Sequence, residues 1–336
     1  MNDQSKPRQQ ASWPGVDVEA AAERLRGLVR RTPLLEFGLQ EGKRIYVKPE
    51  SLQPIGSFKI RGAMNFLALL EPEVRSRGVV AHSSGNHAQG VAAAAKAFGV
   101  SATIVIPEGA PAVKVANTLA LGATVVSCEP SQEGREGTVA EIAAKSGATI
   151  VHPYDHPDVI SGQGTVGLEI LADLPDVANV IVPIGGGGLS AGVCAAFAAR
   201  GSKAQIIGVE PAFAADAKDS LSLAEPVRWT AEQVNRTMAD GVRTQQIGRL
   251  NHAILQQRLA GVVTVSEEAI AEAVRWYASS ARLVVEPTGA LSFAALRRLL
   301  DKGTVDGLSL APGDTVVVVS GGNVDLQRLC DILLNS

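Results

Sequence analysis

Lys59 lies in the run Gly56-Ser57-Phe58-Lys59-Ile60-Arg61-Gly62, between two bulky apolar side chains and just ahead of a helical stretch, Ala63–Leu70. A lysine so placed can carry its head out to water along an apolar stem. Kept in an apolar pocket, its amine instead loses affinity for a proton and becomes suited to Schiff-base chemistry. The run His82-Ser83-Ser84-Gly85-Asn86-His87-Ala88 joins a strand to a helix. Its Ser84, Asn86 and helix-start amides suit a carboxylate, and the same residues suit ordinary N-caps. In Val180-Ile181-Val182-Pro183-Ile184-Gly185-Gly186-Gly187-Gly188-Leu189, a strand meets four glycines and then a helix. Consecutive glycines let backbone N–H groups converge on a phosphate at the positive end of a helix. Gly186-x-Gly188-x-x-Ala191, with Glu210 closing the next strand, also satisfies a dinucleotide fingerprint, which keeps a nicotinamide-linked oxidoreductase in view. That reading leaves Lys59 and the serine-rich loop without a role. Last, Ser320-Gly321-Gly322-Asn323 offers a hydroxyl to the ring nitrogen of a heterocycle, or only a turn whose glycines take positive φ.

The elements that must position these residues follow from hydrophobic pattern. A helical period runs over Val16–Val29. Apolar, β-branched runs at Gly78–Ala81, Thr103–Ile106, Thr124–Ser127, Thr149–His152, Val180–Pro183, Gln205–Val209 and Thr315–Val319 read as strands. Helical segments lie between most of them: Asn86–Phe98, Val113–Leu121, Gly134–Lys145, Val166–Leu174 and Leu189–Ala199. This alternation predicts crossover units and parallel sheets with both faces covered. Residues 81–154 read as a compact four-strand unit inserted in a larger domain made of 1–80 and 155–336. Ligands of open α/β sheets bind at the carboxyl ends of strands, where all the candidate loops fall.

Composition bounds the rest. The 336 residues are 46% hydrophobic and 19% charged, which excludes intrinsic disorder. A net charge of −3 gives no reason to expect nucleic acid or an anionic membrane as a partner. Cys128, Cys194 and Cys330 are too far apart for a disulfide framework or zinc site, so a reducing cytoplasm is expected. The N-terminus is polar, with no apolar core of a signal peptide. Val177–Ala199 is uncharged and long enough to span a bilayer, but Pro183 and the glycines would interrupt such a helix.

Together and in this order, SFKIRGA, SSGNHAQG, GGGGLSAG, VEP, EPTGA and SGGNVDL resemble the fold-type II pyridoxal 5′-phosphate enzymes, specifically the serine/threonine dehydratase and serine racemase family. The resemblance covers roughly Val16 to Leu334 and implies an α/β fold of two interleaved parallel-sheet domains, like the tryptophan synthase β-chain. It implies that Lys59 forms the internal aldimine, with Phe58 beside it. Asn86 would bond the ring hydroxyl, Gly185, Gly186, Gly187, Gly188 and Leu189 would hold the phosphate, and Ser320 would meet the pyridine nitrogen. Gly241 and Glu286 would complete the cofactor's surroundings, while Ser83, Ser84, Asn86 and His87 would receive the substrate carboxylate. A neutral serine at the ring nitrogen makes a weaker electron sink than an acid, which favours prompt loss of a β-leaving group.

The implied activity is a dehydratase (ammonia-lyase) that converts β-hydroxy amino acids, chiefly L-threonine and L-serine, to 2-oxo acids and ammonia. Ser84 after Ser83, where many threonine dehydratases carry alanine, opens the alternative of serine racemase activity, with Ser84 catalytic beside Lys59. Cys128-Glu129-Pro130-Ser131 followed by Arg135 resembles serine racemases and 3-hydroxyaspartate dehydratases, and Arg135 in the pocket would grip a second carboxylate. Glu210, Ala214 and Asp216 match the family's divalent-metal site, which suits Mg²⁺ or Ca²⁺. The nucleotide contacts of some relatives are matched in part, by Gln89, with Tyr154 where an asparagine is expected. The chain ends soon after SGGNVDL, so a C-terminal regulatory domain is not expected. A homodimer follows from family precedent.

Overall fold

The computed structural model describes residues 13–40, 43–110 and 112–334, so most of the polar N-terminus lies outside the described residues. Asp17 caps α1 (Val18–Leu25), and a hairpin of β1 (Leu35–Gln40) and β2 (Lys43–Pro49) follows. Next come α2 (Lys59–Leu69) and the short α3 (Pro72–Arg75). The chain then alternates through β3 (Val79–His82), α4 (Asn86–Phe98), β4 (Ala102–Pro107), α5 (Ala112–Ala120), β5 (Thr124–Cys128), α6 (Gln132–Ser146) and β6 (Thr149–Ile150). A long α7 (Pro157–Asp173) precedes β7 (Asn179–Pro183), α8 (Gly188–Ala199), β8 (Gln205–Pro211), α9 (Asp216–Leu223), α10 (Ala231–Val234) and α11 (Arg249–Arg258). The last elements are β9 (Gly261–Val265), α12 (Glu267–Trp276), α13 (Pro287–Lys302), β10 (Thr315–Val319) and α14 (Leu326–Leu334).

Two sheets result. The larger has the order β1-β2-β10-β7-β8-β9 and is parallel except for the β1–β2 hairpin at its edge; the smaller is β5-β4-β3-β6, all parallel. Both faces of the larger sheet are buried, and alternate residues of one strand feed separate cores. Val316 and Val318 of β10 join α7 and α8, whereas Val317 and Val319 join α12 and α13. That two-sided burial is why the strands are apolar without a break. The four strands expected in 81–154 pair as one sheet, but its core reaches further: Ile60, Ala63, Met64, Phe66 and Leu67 of α2 pack with Val79, Ala81 and Val91. The unit packed around the smaller sheet is therefore wider than 81–154.

Helix α7 starts nine residues before the Val166 predicted from pattern. Gly162 and Gly164 hide its first half, because they read as breakers. Each is a place where two backbones meet: a Cβ on Gly162 would lie 2.5 Å from the Arg61 carbonyl oxygen, and one on Gly164 would lie 2.7 Å from that of Gly192.

Candidate active site

The loops after β3, β7, β8 and β10 lie at the carboxyl ends of their strands, and the residue that begins α2 joins them. Phe58 is already in the right-handed helical region as the N-cap of α2, and its amide donates to the Ser320 carbonyl at 3.1 Å. Ser57 bridges to Gly321, so the Lys59 segment is stitched to the end of β10. The Lys59 amine donates to the Pro153 carbonyl at 2.7 Å and stands 5.2 Å from the Phe58 ring centroid, with no carboxylate paired to it among the described residues. Burial alone pulls its pKa down from 10.5 to about 8.

The helix after β3 begins at Asn86 behind Gly85, and no side chain caps it. The Ser83 hydroxyl accepts the Gly85 N–H at 3.1 Å. Capping therefore does not explain the serines, and the first amides of α4 keep no acceptor in their own helix. The Asn86 amide nitrogen donates to Glu286 Oε1 at 2.7 Å, and Asn86 Oδ1 accepts from Asn323 at 2.7 Å. Glu286 is pushed up to about 8, first by burial and then by the charge of Asp240, with the Asn86 donor and Lys114 acting the other way. The His87 ring turns inward, Nε2 on the Val151 carbonyl at 3.0 Å, and burial holds its pKa well down.

The glycine loop is walled by the linker that leaves the smaller sheet. A Cβ on Gly186 would lie 2.2 Å from the Tyr154 ring, and one on Gly188 would lie 3.0 Å from the Tyr154 carbonyl oxygen. At Gly187 the backbone is left-handed (φ +92°) and a Cβ would meet Asn251. At Gly185 it would meet Val242. The Asn251 side chain donates to the carbonyls of Gly186 (2.7 Å) and Tyr154 (3.2 Å), and the Asp155 carboxylate accepts the Arg249 and Leu250 amides at the start of α11. These glycines thus answer to packing, a need the sequence did not reveal. Leu189 is buried in the first turn of α8. The Gly241 amide donates to Thr288 Oγ1 at 2.9 Å.

Ser320 is buried and its hydroxyl has no hydrogen-bond partner. Such a group is costly unless something completes it, and a ring nitrogen would. Arg135, on α6, also holds a buried Nε without a partner, and its charge bears on His82 and Cys128 at the ends of β3 and β5. Ser84 is half-buried in the loop between β3 and α4.

Beyond the glycine loop, Glu210 accepts the Ala217 and Lys218 amides at 3.0 and 2.8 Å, while the carboxylate of buried Asp216 makes no close hydrogen bond among the described residues, only weak contact with the Ile247 backbone and its own amide. Burial is the main cause that raises the pKa of each, and the Asp216 charge adds to it at Glu210. Among the described residues no group of three or more His, Cys, Asp or Glu side chains is arranged for a metal, so a cation here would rest on two carboxylates and the Ala214 carbonyl. Pattern reading missed Pro153, Asn251 and Asn323, whose carbonyl and amide groups carry no signature outside the fold. It also missed Lys114 of α5, which reaches across to pair with Asp240.

Fold and site thus bring together, in an α/β chain of two parallel-sheet domains, a half-buried lysine whose pKa is lowered by burial, a glycine-rich strand-to-helix loop and a buried serine hydroxyl without a hydrogen-bond partner among the described residues. The family described as pyridoxal-phosphate dependent enzymes matches residues 25–322. The chain is 39% identical to an L-threo-3-hydroxyaspartate ammonia-lyase of Saccharomyces cerevisiae, covering 94% of this chain and 95% of the relative. It is 41% identical to an L-threonine ammonia-lyase of Thermotoga maritima, covering 94% and 77%. The crystal structure of serine racemase from Dictyostelium discoideum superposes with a TM-score of 0.84 at 34% identity, covering 93% of this chain and all of that one. The chain belongs to the pyridoxal-phosphate dependent enzyme family, in its fold-type II branch. Among the described residues no helix is long and apolar enough to cross a membrane.

Proposed function

We propose that this chain is an ammonia-lyase of β-hydroxy amino acids, with L-threonine and L-serine as leading substrates. The observation that carries the reading is the half-buried Lys59 amine at the start of α2, desolvated, donating to the Pro153 carbonyl and paired with no acid among the described residues. Pyridoxal phosphate, when bound, supplies the electron sink that lets the Cα–H bond of an amino acid ionise. The orphaned Ser320 hydroxyl, the glycine loop and the Asn86–Glu286 pair fit that group as partners for its ring nitrogen, phosphate and ring hydroxyl. Lys59 Nζ, neutral above about pH 8, takes the Cα proton as general base. The uncapped start of α4 and Ser83 hold the substrate carboxylate. Loss of the β-hydroxyl as water leaves an enamine, which water hydrolyses to a 2-oxo acid and ammonia.

A second reading has its own observation. The buried, unpartnered Nε of Arg135, beside His82 and Cys128, favours a substrate with a second carboxylate, threo-3-hydroxyaspartate. Release of 2-oxo acid from L-threonine, L-serine, D-serine and both threo-3-hydroxyaspartates separates the two. Turnover of threonine and serine supports the first; a strong preference for hydroxyaspartate, abolished in Arg135→Gln, replaces it with the second. Ser84 is the proton carrier that would add racemisation: Ser84→Ala loses D-serine formation while elimination from L-serine survives, and loss of neither removes that role.

A divalent cation, Mg²⁺ or Ca²⁺, fits the carboxylates of Glu210 and Asp216 with the Ala214 carbonyl, since two buried acids side by side, each with its pKa raised by burial, call for positive charge. Isothermal titration of the chain with either cation tests it. A homodimer in the cytoplasm completes the proposal. Family precedent supports the dimer, and three free cysteines support a reducing compartment.

A further inference from the structure

We infer that the buried ionic cluster of Arg61, Glu50, Glu169 and Lys48 fixes the rotation of α2 and so aims Lys59 into the cleft, which makes Arg61 a positioning residue. The inference rests on the reading of Lys59 as the lysine that holds the cofactor.

Arg61 is fully buried and grips two carboxylates at once. Its Nε and Nη2 donate to Glu50 at 2.7 and 2.8 Å, and its Nη1 and Nη2 donate to Glu169 at 2.7 and 2.9 Å. Lys48 Nζ closes the set on Glu169 at 2.5 Å and on the Thr32 carbonyl at 2.7 Å. Thr32 and Gln53 satisfy Glu50 further, at 2.7 and 3.0 Å. Two cations and two anions cancel, so the cluster is neutral as a unit. Its burial brings little net stability, because the desolvation of four charges offsets their attraction, and apolar residues would fill the space as well. What such a cluster does provide is a single geometry.

That geometry bears on Lys59. Residues two apart on an α-helix project about 200° from each other. A helix clamped at Arg61 on one side therefore presents Lys59 on the opposite side. The clamp also links two bodies: the apolar residues of α2 pack with the smaller sheet, while the carboxylates that Arg61 grips come from the turn after β2 and from α7. Neighbouring backbones leave no slack. The Gly62 amide donates to Gln163 Oε1 at 3.2 Å, a Cβ on Gly162 would lie 2.5 Å from the Arg61 carbonyl oxygen, and one on Gly90 would lie 3.1 Å from the Lys59 carbonyl.

Arg61→Met alone would strand Glu50 without a countercharge, so the test uses Arg61→Met/Glu50→Gln, which leaves Lys48 and Glu169 balanced. Cofactor-free chain is mixed with pyridoxal phosphate, quenched with borohydride at set times, and Lys59 labelling is read by peptide mass spectrometry across pH. Circular dichroism and thermal melting report folding. In the unaltered chain, Lys59 is labelled with a pH midpoint near 8. In the folded double variant, labelling slows about tenfold to a hundredfold, as misplacement of a reacting group by roughly 1 Å implies. Its midpoint also moves up toward that of an ordinary lysine. Unaltered rate and midpoint in the folded variant overturn the inference and leave the cluster a fold element only. Absence of label at Lys59 in the unaltered chain overturns the underlying reading, and the inference with it. If the double variant does not fold, Lys48→Met/Glu169→Gln takes its place. It keeps the Glu50 grip, so about a tenfold slowing is expected, and unaltered kinetics again overturn the inference.

Discussion

Alanine at Gly186 isolates what the glycine loop is for. Gly186 does not have positive φ, so its backbone accepts a side chain without strain. The obstacle is contact: the added Cβ would sit 2.2, 2.3 and 2.5 Å from three atoms of the Tyr154 ring. Ordinary carbon–carbon contact is about 3.5 Å, so ring and loop must separate by roughly 1.3 Å. Overpacking of that kind costs about 1–3 kcal/mol. The loop is also the cradle, and the same cost borne by cofactor binding weakens it by about 5- to 150-fold. Tyr154→Ser removes the ring and the conflict, so Gly186→Ala in that background should bind pyridoxal phosphate within about twofold of Tyr154→Ser alone, the behaviour of a strongly coupled pair. Equilibrium titration followed by visible absorbance reads all four members of the cycle. Wild-type affinity in Gly186→Ala, or equal penalties in both backgrounds, would refute the contact as the reason for this glycine.

Other outcomes follow from the same geometry. Ser320→Ala removes a hydroxyl that has no partner, so the melting temperature of the cofactor-free chain should hold, whereas the loaded enzyme loses a hydrogen bond worth about 1.5 kcal/mol and turns over roughly tenfold more slowly; a lower melting temperature without loss of rate contradicts this. Lys114 and Asp240 form an ion pair across the cleft with side chains 26% and 24% exposed, so breaking it costs about 0.2–1 kcal/mol and raises KM by no more than about fivefold. The two ways of breaking it must differ in pH dependence. Asp240 raises and Lys114 lowers the pKa of Glu286, itself near 8, so a basic limb that reports Glu286 moves down in Asp240→Asn and up in Lys114→Gln. Shifts of the same sign in both variants would detach that limb from Glu286.

Most of the parallel strands were legible because fully covered sheets require unbroken β-branched runs, and Thr315–Val319 appears in the structure with the bounds its pattern predicts, although β9 was missed. The β1–β2 hairpin was not, since its outer strand carries Glu36 and its inner strand carries Lys43, Arg44 and Lys48 among apolar residues. Lys48 illustrates the limit: it is fully buried, and the carboxylate that balances it, Glu169, lies 121 positions away. Arg61 likewise stands inside a legible motif while its partners at 50 and 169 have no local mark. Around Lys59 the sequence pointed to loops that the fold brings together, because strand ends and glycines are local signals. It could not show that Tyr154 lies on Gly186 or that the His87 ring turns to the Val151 carbonyl, because those contacts arise only when the linker after β6 folds back over the cleft.

The most direct test compares the unaltered chain with Lys59→Ala, both supplied with pyridoxal phosphate and L-threonine, by release of 2-oxo acid and ammonia. Release in equal amounts by the unaltered chain, falling about a thousandfold or more in Lys59→Ala, is the predicted result. Equal rates in the two chains would contradict it. So would silence of the unaltered chain on every β-hydroxy amino acid together with tight binding of a nicotinamide dinucleotide at Gly185–Gly188.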